Sequence, residues 1–468
     1  MENETISGLA GLLIVFGIVM LIPILFSLIY EEYYNLIFFI IPAIIFITIG
    51  LYLSNKYPLS ETISTKSAII IASSGWLLVS AIGAIPYLSI GMGPLDAFFE
   101  SISGFTTTGM TLINSMEEVP KSIIFWRSLT QWVGGIGIVF LFTIFLRGGI
   151  GTWRLYTIEG KEKFTPSIKE SIREIMIIYL ILTSICAIIL FFCGLSPFES
   201  INHAMTTLAT GGFSTRTNSV ADFSNIVKIV IILFMIAGAI DFTIYYELKK
   251  LKFRKLMNDA ELRLFLLMIL ASCLIVSLFI MREKGLEYAL DGIFNVVSIA
   301  TTTGFTSFEL MEFSDQVKAL ILLLMLIGGC AGSTAGGLKV WRLIVLFGLL
   351  KRELQKLTLP FSAVLPVKIG ERALDDDYVM KVGAFFFTYI ITIFIIFLLL
   401  SFTISDKFGA LSLAISSVAN VGPAFYSITA LDSYSKIVLI IGMWLGRLEI
   451  IPILVLMSEI GSKLRESL

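Results

Sequence analysis

The segment Phe99-Glu100-Ser101-Ile102-Ser103-Gly104-Phe105-Thr106-Thr107-Thr108-Gly109 returns without a gap as Phe294-Asn295-Val296-Val297-Ser298-Ile299-Ala300-Thr301-Thr302-Thr303-Gly304. The Thr-Thr-Thr-Gly ending is identical in the two copies. Two weaker copies align with it. In one, Glu100 meets Asn202, Thr108 meets Thr210 and Gly109 meets Gly211; in the other, Ser103 meets Ser416 and Gly109 meets Gly422. Each copy is a short apolar stretch that ends in a small-residue loop with glycine. Self-similarity at regular places along a chain marks a repeat architecture, so any fold proposed here must contain four related units.

What surrounds the copies decides the solvent. Apolar runs occur at about 9–30, 36–53, 67–90, 122–146, 174–194, 225–247, 262–281, 316–350, 379–402 and 434–457. A bilayer core needs roughly 20 apolar residues per helix, and each run meets that length or comes close to it. Of the 468 residues 57% are hydrophobic and 15% are charged, whereas a soluble domain carries roughly 25% charged residues. The repeated segments, at about 95–109, 197–211, 288–304 and 407–422, are too short or too polar to cross. They follow the third, fifth, seventh and ninth runs. The expected fold is an all-α polytopic membrane protein in the cell membrane, with two leading transmembrane helices and four helix–pore-loop–helix repeats in pseudo-fourfold array around a central ion pore. The expected units are 1–60 (leading helices), 61–165, 166–255, 256–372 and 373–468. Met1–Ser7 is acidic and lacks the basic region of a signal peptide, so the first run is read as a retained helix.

Charge placement orients the array. One set of connections holds 24 of the 34 Lys and Arg, among them Lys163, Lys252, Arg254, Lys255, Lys339 and Arg342. The other side holds nine, and Arg447 lies within the last run. Basic connections stay cytoplasmic, which puts the pore loops on the outside.

Irregular backbone survives at membrane depth only where protein covers it or a wet cavity adjoins it. Glycine permits the positive φ that turns carbonyls toward an axis, and rings of carbonyl oxygens replace the water around a dehydrated cation. Each short helix also aims its partially negative C-terminus at that axis. A lone Thr-Thr-Thr-Gly is an ordinary turn. Four in register between spanning helices read as a cation filter made of Thr107, Thr108, Gly109, Thr210, Gly211, Thr302, Thr303, Gly304, Asn420, Val421 and Gly422.

These motifs resemble those of the Trk/Ktr/HKT superfamily of potassium transporters, and within it the TrkH-type membrane subunit. The resemblance covers about 67–468 and is carried by Thr-Thr-Thr-Gly at 106–109 and 301–304, Ala-Thr-Gly-Gly-Phe-Ser-Thr at 209–215 and Gly-Gly-Cys-Ala-Gly-Ser-Thr-Ala-Gly-Gly-Leu-Lys at 328–339. It implies K⁺ as the transported ion, filter glycines at Gly109, Gly211, Gly304 and Gly422, a homodimer, and a separate cytosolic nucleotide-binding subunit of the TrkA type. The fourth loop, Asn420-Val421-Gly422-Pro423, departs from the Thr-rich pattern.

The run 316–350 is too long for one straight span, and its centre, Gly328 to Gly337, holds five glycines. Close helix packing on small residues is one reading. The sharper one is a helix broken by a loop below the filter, which the resemblance makes the intramembrane gate: Gly328, Gly329, Gly332, Ser333, Thr334, Gly336 and Gly337. Arg447, in the last span, is read as an electrostatic barrier or an anchor of that gate loop, with pairing to Glu449 as the alternative. An arginine in a span normally faces a bundle interior or water. The Ser333 and Thr334 hydroxyls and free loop carbonyls are expected to hold its guanidinium. Asp241 either raises local cation concentration or hydrogen-bonds a neighbouring helix, and His203 is expected to be packed and hydrogen-bonded. The four cysteines are expected to be buried apolar fillers.

No phosphate-binding Gly-x-x-x-x-Gly-Lys-Ser/Thr and no nucleophile–base motif occurs, so no enzyme and no bound cofactor are expected. The basic connections suit a docking partner or anionic lipid headgroups. An ion-coupled secondary transporter, moving potassium with sodium or protons, and a poorly selective K⁺/Na⁺ pathway remain alternatives.

Overall fold

The structure, a computed structural model, describes residues 2–58, 64–145, 168–251, 259–359, 365–370 and 372–458. Lys163, Lys252, Arg254 and Lys255 lie outside the described residues, as do the expected unit boundaries near 60, 165 and 255.

The regular structure of the described residues is helical apart from two strands of two residues each, Lys368–Ile369 paired antiparallel with Arg372–Ala373. The leading helices are α1 (Glu2–Val19), α2 (Ile22–Ile29) and α3 (Tyr33–Lys56). A two-residue break after Val19, ahead of Pro23, separates α1 from α2, yet Asn3–Ile29 is long and apolar enough to count as one span, as expected. Repeat 1 contains α4 (Thr65–Gly83), the pore helix α5 (Pro94–Phe105) and α6 (Lys121–Phe145). Repeat 2 contains α7 (Ile168–Phe192), the pore helix α8 (Pro197–Leu208), α9 (Asn225–Ala239) and α10 (Phe242–Lys249). Repeat 3 contains α11 (Ala260–Glu283), the pore helix α12 (Ala289–Ala300), α13 (Asp315–Ile327) and α14 (Val340–Lys356). Repeat 4 contains α15 (Asp376–Leu400), the pore helix α16 (Lys407–Ala419), α17 (Ser433–Arg447) and α18 (Ile451–Ser458).

Local chemistry sets these boundaries. Proline opens α5 and α8, where its fixed φ suits the first turn. Ser196 and Glu199 cap α8 reciprocally, and Asp259, Asp406 and Asp432 accept backbone N–H groups at the starts of α11, α16 and α17. The leading pair is pinned by Glu32, whose carboxylate accepts Lys121 N at 2.6 Å and Ser122 N at 2.9 Å, so it caps α6 from outside its own repeat.

Among the described residues six helices are long and apolar enough to cross a membrane, or up to eight if two bent pairs count as spans. The first helices of repeats 2, 3 and 4 expose apolar side chains, such as Leu180 and Ile188, Leu267 and Leu274, Phe387 and Phe394. In water that rim would aggregate; against hydrocarbon it is at ease. The pore helices are enclosed instead, with Phe99, Leu208, Phe294 and Leu413 all buried.

The second helices depart from the expectation of single spans at 225–247 and 434–457. Repeat 2 bends by 94° between α9 and α10, and repeat 4 by 109° between α17 and α18. At the second bend Glu449 and Ile450 have φ of +57° and +61°. Nothing in the apolar pattern of either run announces such a corner, because both halves stay hydrophobic. The break expected in 316–350 is present, between Ile327 and Val340.

Candidate functional site

Each pore helix ends in the same hydrogen-bonded turn. The N–H groups of Thr107, Thr210, Thr302 and Asn420 donate to the carbonyls of Gly104, Thr207, Ile299 and Ser417. One residue later, Thr108, Gly211, Thr303 and Val421 donate to Ser103, Thr206, Ser298 and Ser416 at 2.8–2.9 Å. The first residue of each turn is left-handed, with φ of 53° at Thr107, 50° at Thr210, 55° at Thr302 and 54° at Asn420. Threonine rarely accepts that conformation, and such strain collects where a fold positions a functional backbone. Two residues further on stands a glycine with φ of +85°, +78°, +85° and +104°, respectively Gly109, Gly212, Gly304 and Gly422.

This register corrects the second alignment. Gly212, and not Gly211, stands where Gly109 does, and Gly211 corresponds to Thr108. Matching one Thr-Gly to another chose the first of two adjacent glycines, whereas the hydrogen bonds and φ angles choose the second. The same shift makes His203, rather than Asn202, the counterpart of Glu100.

The four loops close into a ring. A Cβ added at Gly109 would strike the carbonyl oxygen of Gly211, and one at Gly212 that of Thr303. At Gly304 it would strike the carbonyl of Val421, and at Gly422 that of Thr108. Each repeat thus presses its glycine against a carbonyl of the next, in the order one, two, three, four and back to one. Chain order around a closed ring is what a pseudo-fourfold axis produces. Among the described residues no group of three His, Cys, Asp or Glu is placed to hold a metal; the oxygens that meet the ring glycines are the backbone carbonyls of Thr108, Gly211, Thr303 and Val421.

Behind the ring the repeats differ. Thr106 and Thr108 share a hydroxyl–hydroxyl bond of 2.8 Å, as do Thr301 and Thr303. Asn420 donates through Nδ2 to the Thr108 hydroxyl and the Met443 carbonyl, both at 3.0 Å. The loops leaving the filter are tied back to their pore helices by Glu100, His203 and Asn295. Glu100 accepts Leu112 N at 3.0 Å and Thr111 Oγ1 at 2.8 Å, His203 Nε2 meets Ser214 Oγ at 3.1 Å, and Asn295 Oδ1 accepts Ser307 N at 3.2 Å. His203 is a packed, hydrogen-bonded residue whose other ring nitrogen faces the Glu199 carbonyl. Sequence reading missed the buried pair of Glu100 with Arg127, at 2.9 Å, and the buried Gln131 beside repeat 2. The signal was a charge of each sign in neighbouring apolar segments.

The loop between α13 and α14 lies against the ring from the side opposite the departing loops. Thr334 Oγ1 donates to Leu208 O at 2.9 Å and Gly238 O at 3.0 Å, and it accepts from Thr210 Oγ1 at 3.3 Å. Gly336 N donates to Thr302 Oγ1 at 2.7 Å, and Gly337 N to Ala419 O at 3.0 Å. Gly328, Gly332 and Gly337 have positive φ, and a Cβ on Gly336 would strike the Ala419 carbonyl. Gly329 packs on Ala335 and Ala239. Glu261, from the start of α11, accepts Ala331 N at 2.6 Å and Trp341 N at 3.1 Å, holding both ends of the loop.

Arg447 is the last residue of α17, at the bend. Its Nη1 donates to Thr334 O at 3.3 Å and its Nη2 to Gly134 O at 2.6 Å. Neither hydroxyl expected to accept from Arg447 does so: Ser333 Oγ donates to Cys330 O at 2.6 Å within its own turn, and Thr334 Oγ1 turns to Leu208 and Gly238, so that of these two residues only the Thr334 carbonyl meets the guanidinium. Glu449 pairs with Arg342 across the repeats. Asp241 caps α10, accepting Thr243 N at 2.9 Å. Of the cysteines Cys193 is only half-buried.

Two cavities flank the ring. One of about 300 Å³ is lined by Gly109, Gly212, Gly304 and Gly422 together with Arg127, Arg216 and Glu309. The other, about 70 Å³, is lined by Gly332 to Gly337, Asn420, Tyr179, Tyr389 and Arg447. The loop therefore stands beside the smaller of the two spaces that flank the ring.

Comparison with known proteins agrees with this architecture. The family model for TrkH, described as a cation transport protein, matches residues 35–464. An uncharacterized cation transporter of Methanocaldococcus jannaschii is 35% identical over 97% of this chain and 95% of its own length. The Trk system potassium uptake protein TrkH of Escherichia coli is 33% identical over 98% of this chain and 99% of its own. The crystal structure of the potassium transporter TrkH from Vibrio parahaemolyticus superposes with a TM-score of 0.88 and 30% identity, covering 97% of this chain and 98% of that one. The repeats, the ring and these matches over nearly the whole length agree: the chain is a multi-pass membrane protein that belongs to the TrkH family of cation transport proteins.

Proposed function

We propose that this chain is the pore-forming subunit of a Trk-type potassium uptake system, conducting K⁺ through the ring and gating it with the loop 328–337 and Arg447. The observation that carries the reading is the closed ring of four carbonyls, each seated on a positive-φ glycine of the preceding repeat. Carbonyl oxygens replace the hydration shell of a cation without a fixed charge to trap it. The loop supports a gate because it stands under the ring and is bound to three pore-helix ends and to Arg447. Intramembrane carboxylates that ion coupling would need are engaged elsewhere: Glu100 with Arg127, Glu261 with backbone N–H groups, and Asp241 as a helix cap. That favours a pore over a coupled carrier.

A homodimer and a soluble nucleotide-binding regulatory subunit of the TrkA type belong to the same proposal, with the basic connections as the docking face. Reversing the charges of Lys252, Arg254 and Lys255 is expected to weaken capture of such a subunit. The deciding experiment is ⁸⁶Rb⁺ uptake into proteoliposomes driven by a potassium gradient, with sodium as competitor. Uptake that K⁺ suppresses and Na⁺ suppresses poorly supports the reading; no uptake, or equal competition, overturns it.

A further inference from the structure

The ring is symmetric in backbone but not in what stands behind it. At the four equivalent positions the side chains are those of Thr108, Thr303 and Val421, and at Gly211 there is none. The φ of Gly211 lies outside the left-handed region, so its backbone would accept any residue. What excludes a side chain is Gln131, on α6 of the neighbouring repeat. A Cβ at Gly211 would land on the Gln131 side-chain amide, well inside contact distance. Gln131 is fully buried and uses both ends of that amide. Its Nε2 donates to Gly211 O at 2.5 Å, and its Oε1 accepts Phe213 N at 3.0 Å. Among the described residues, only the Gly211 carbonyl of these four ring carbonyls takes a side-chain hydrogen bond.

We propose that Gln131 is a specificity-determining residue: by donating to the Gly211 carbonyl it weakens one corner of the ring and so favours K⁺ over Na⁺. The inference rests on the potassium-pore reading above. An N–H aimed at a carbonyl oxygen engages a lone pair and sets a partial positive charge beside the ion site. The carbonyl then repays less of the hydration a cation gives up. Na⁺ holds its water more tightly than K⁺ does, so a weakened corner penalises Na⁺ more. Gln131 also fills the place that Thr108, Thr303 and Val421 fill with their own side chains, so its electrostatic and packing roles must be separated.

The test is a swap. Gln131→Ala removes the donor and leaves a void. Gly211→Val copies the side chain of Val421 into repeat 2, and the double variant Gln131→Ala/Gly211→Val restores filling without restoring a donor. The readouts are thermal stability of the purified protein and Na⁺ competition against ⁸⁶Rb⁺ uptake in proteoliposomes. Gln131→Ala is expected to lower K⁺ preference over Na⁺ by about fivefold, the worth of one hydrogen bond. The double variant is expected to recover stability while its ion preference stays low. Gln131→Met, similar in length and without a donor, gives the same reading if the alanine variant does not fold. Recovery of both stability and preference in the double variant would reduce Gln131 to a space filler and overturn the proposal. So would an unchanged preference in Gln131→Ala when the wild type discriminates. Absence of potassium uptake in the wild type itself would instead strike the pore reading, and this inference with it.

Discussion

The filter ring and the loop below it are both rich in glycine, and they use it differently. In the ring, glycine is demanded by backbone meeting backbone: Gly109, Gly212, Gly304 and Gly422 each combine a positive φ with a carbonyl of the next repeat where a Cβ would stand. No neighbouring side chain can move aside to relieve a substitution there. In the loop, glycine makes room for hydrogen bonds to surrounding helix ends, and those bonds are separate and breakable. They include Thr334 to Leu208 and Gly238, Gly336 to Thr302, and Arg447 to Thr334. The loop is thus a tied segment and not a slack one, although its composition alone gives little helical stability. The lesson is that four-fold repetition closes backbone on backbone, while a sequence present in one copy is held by individual hydrogen bonds that single substitutions can remove.

Ring substitutions should then change which ion passes, and loop substitutions how much passes. The largest effect is expected at Gly304→Ser, where the left-handed strain of about 1–3 kcal/mol adds to a collision with Val421 O. Preference for K⁺ over Na⁺ should fall by at least about tenfold, since 1.4 kcal/mol is a factor of ten. Unchanged sodium competition against ⁸⁶Rb⁺ uptake would break the comparison on the ring side.

Next comes Arg447→Ala, which removes the donors to Thr334 and Gly134 and a positive charge from the smaller cavity. Flux at matched protein incorporation should rise by about fivefold, with ion preference intact. Deleting residues 332–336 should raise flux similarly and make it less dependent on a regulatory subunit. The two changes together should add little to either alone, because both release one closed state. Additive effects would mean that Arg447 acts elsewhere than on the loop.

The smallest effect sharpens the comparison. Thr334→Val keeps the shape of the side chain and removes its bonds to Leu208 and Gly238. A rise in flux of about threefold at constant preference is expected, the low end of what one net hydrogen bond is worth. A shift in preference instead would show that the loop shapes the filter rather than blocks the path.

Periodic features were the legible part of this protein. Ten apolar runs, four short segments after alternate runs and the glycine-rich centre of 316–350 are all linear patterns, and each corresponds to an element or a break in the structure. They carry information locally because a bilayer leaves the backbone few ways to satisfy its polar groups. Reading failed where the answer depended on which atoms meet across repeats. Gly211 and Gly212 are indistinguishable as letters, and only the bonds from Thr210 to Thr207 and from Gly211 to Thr206 set the register. The bends at Asp241 and Glu449 lie in runs that stay apolar on both sides, so hydropathy is blind to them. Gln131 reads as one polar residue in a span until Gly211 is seen to lack the side chain whose place it takes. The sequence by itself determined the membrane, the repeats and the short pore-helix segments with their terminal glycines, because burial and backbone satisfaction act along the chain. The tertiary structure alone decided the ring order, the ties of the loop and the asymmetry behind repeat 2, because those are contacts between residues that the chain keeps far apart.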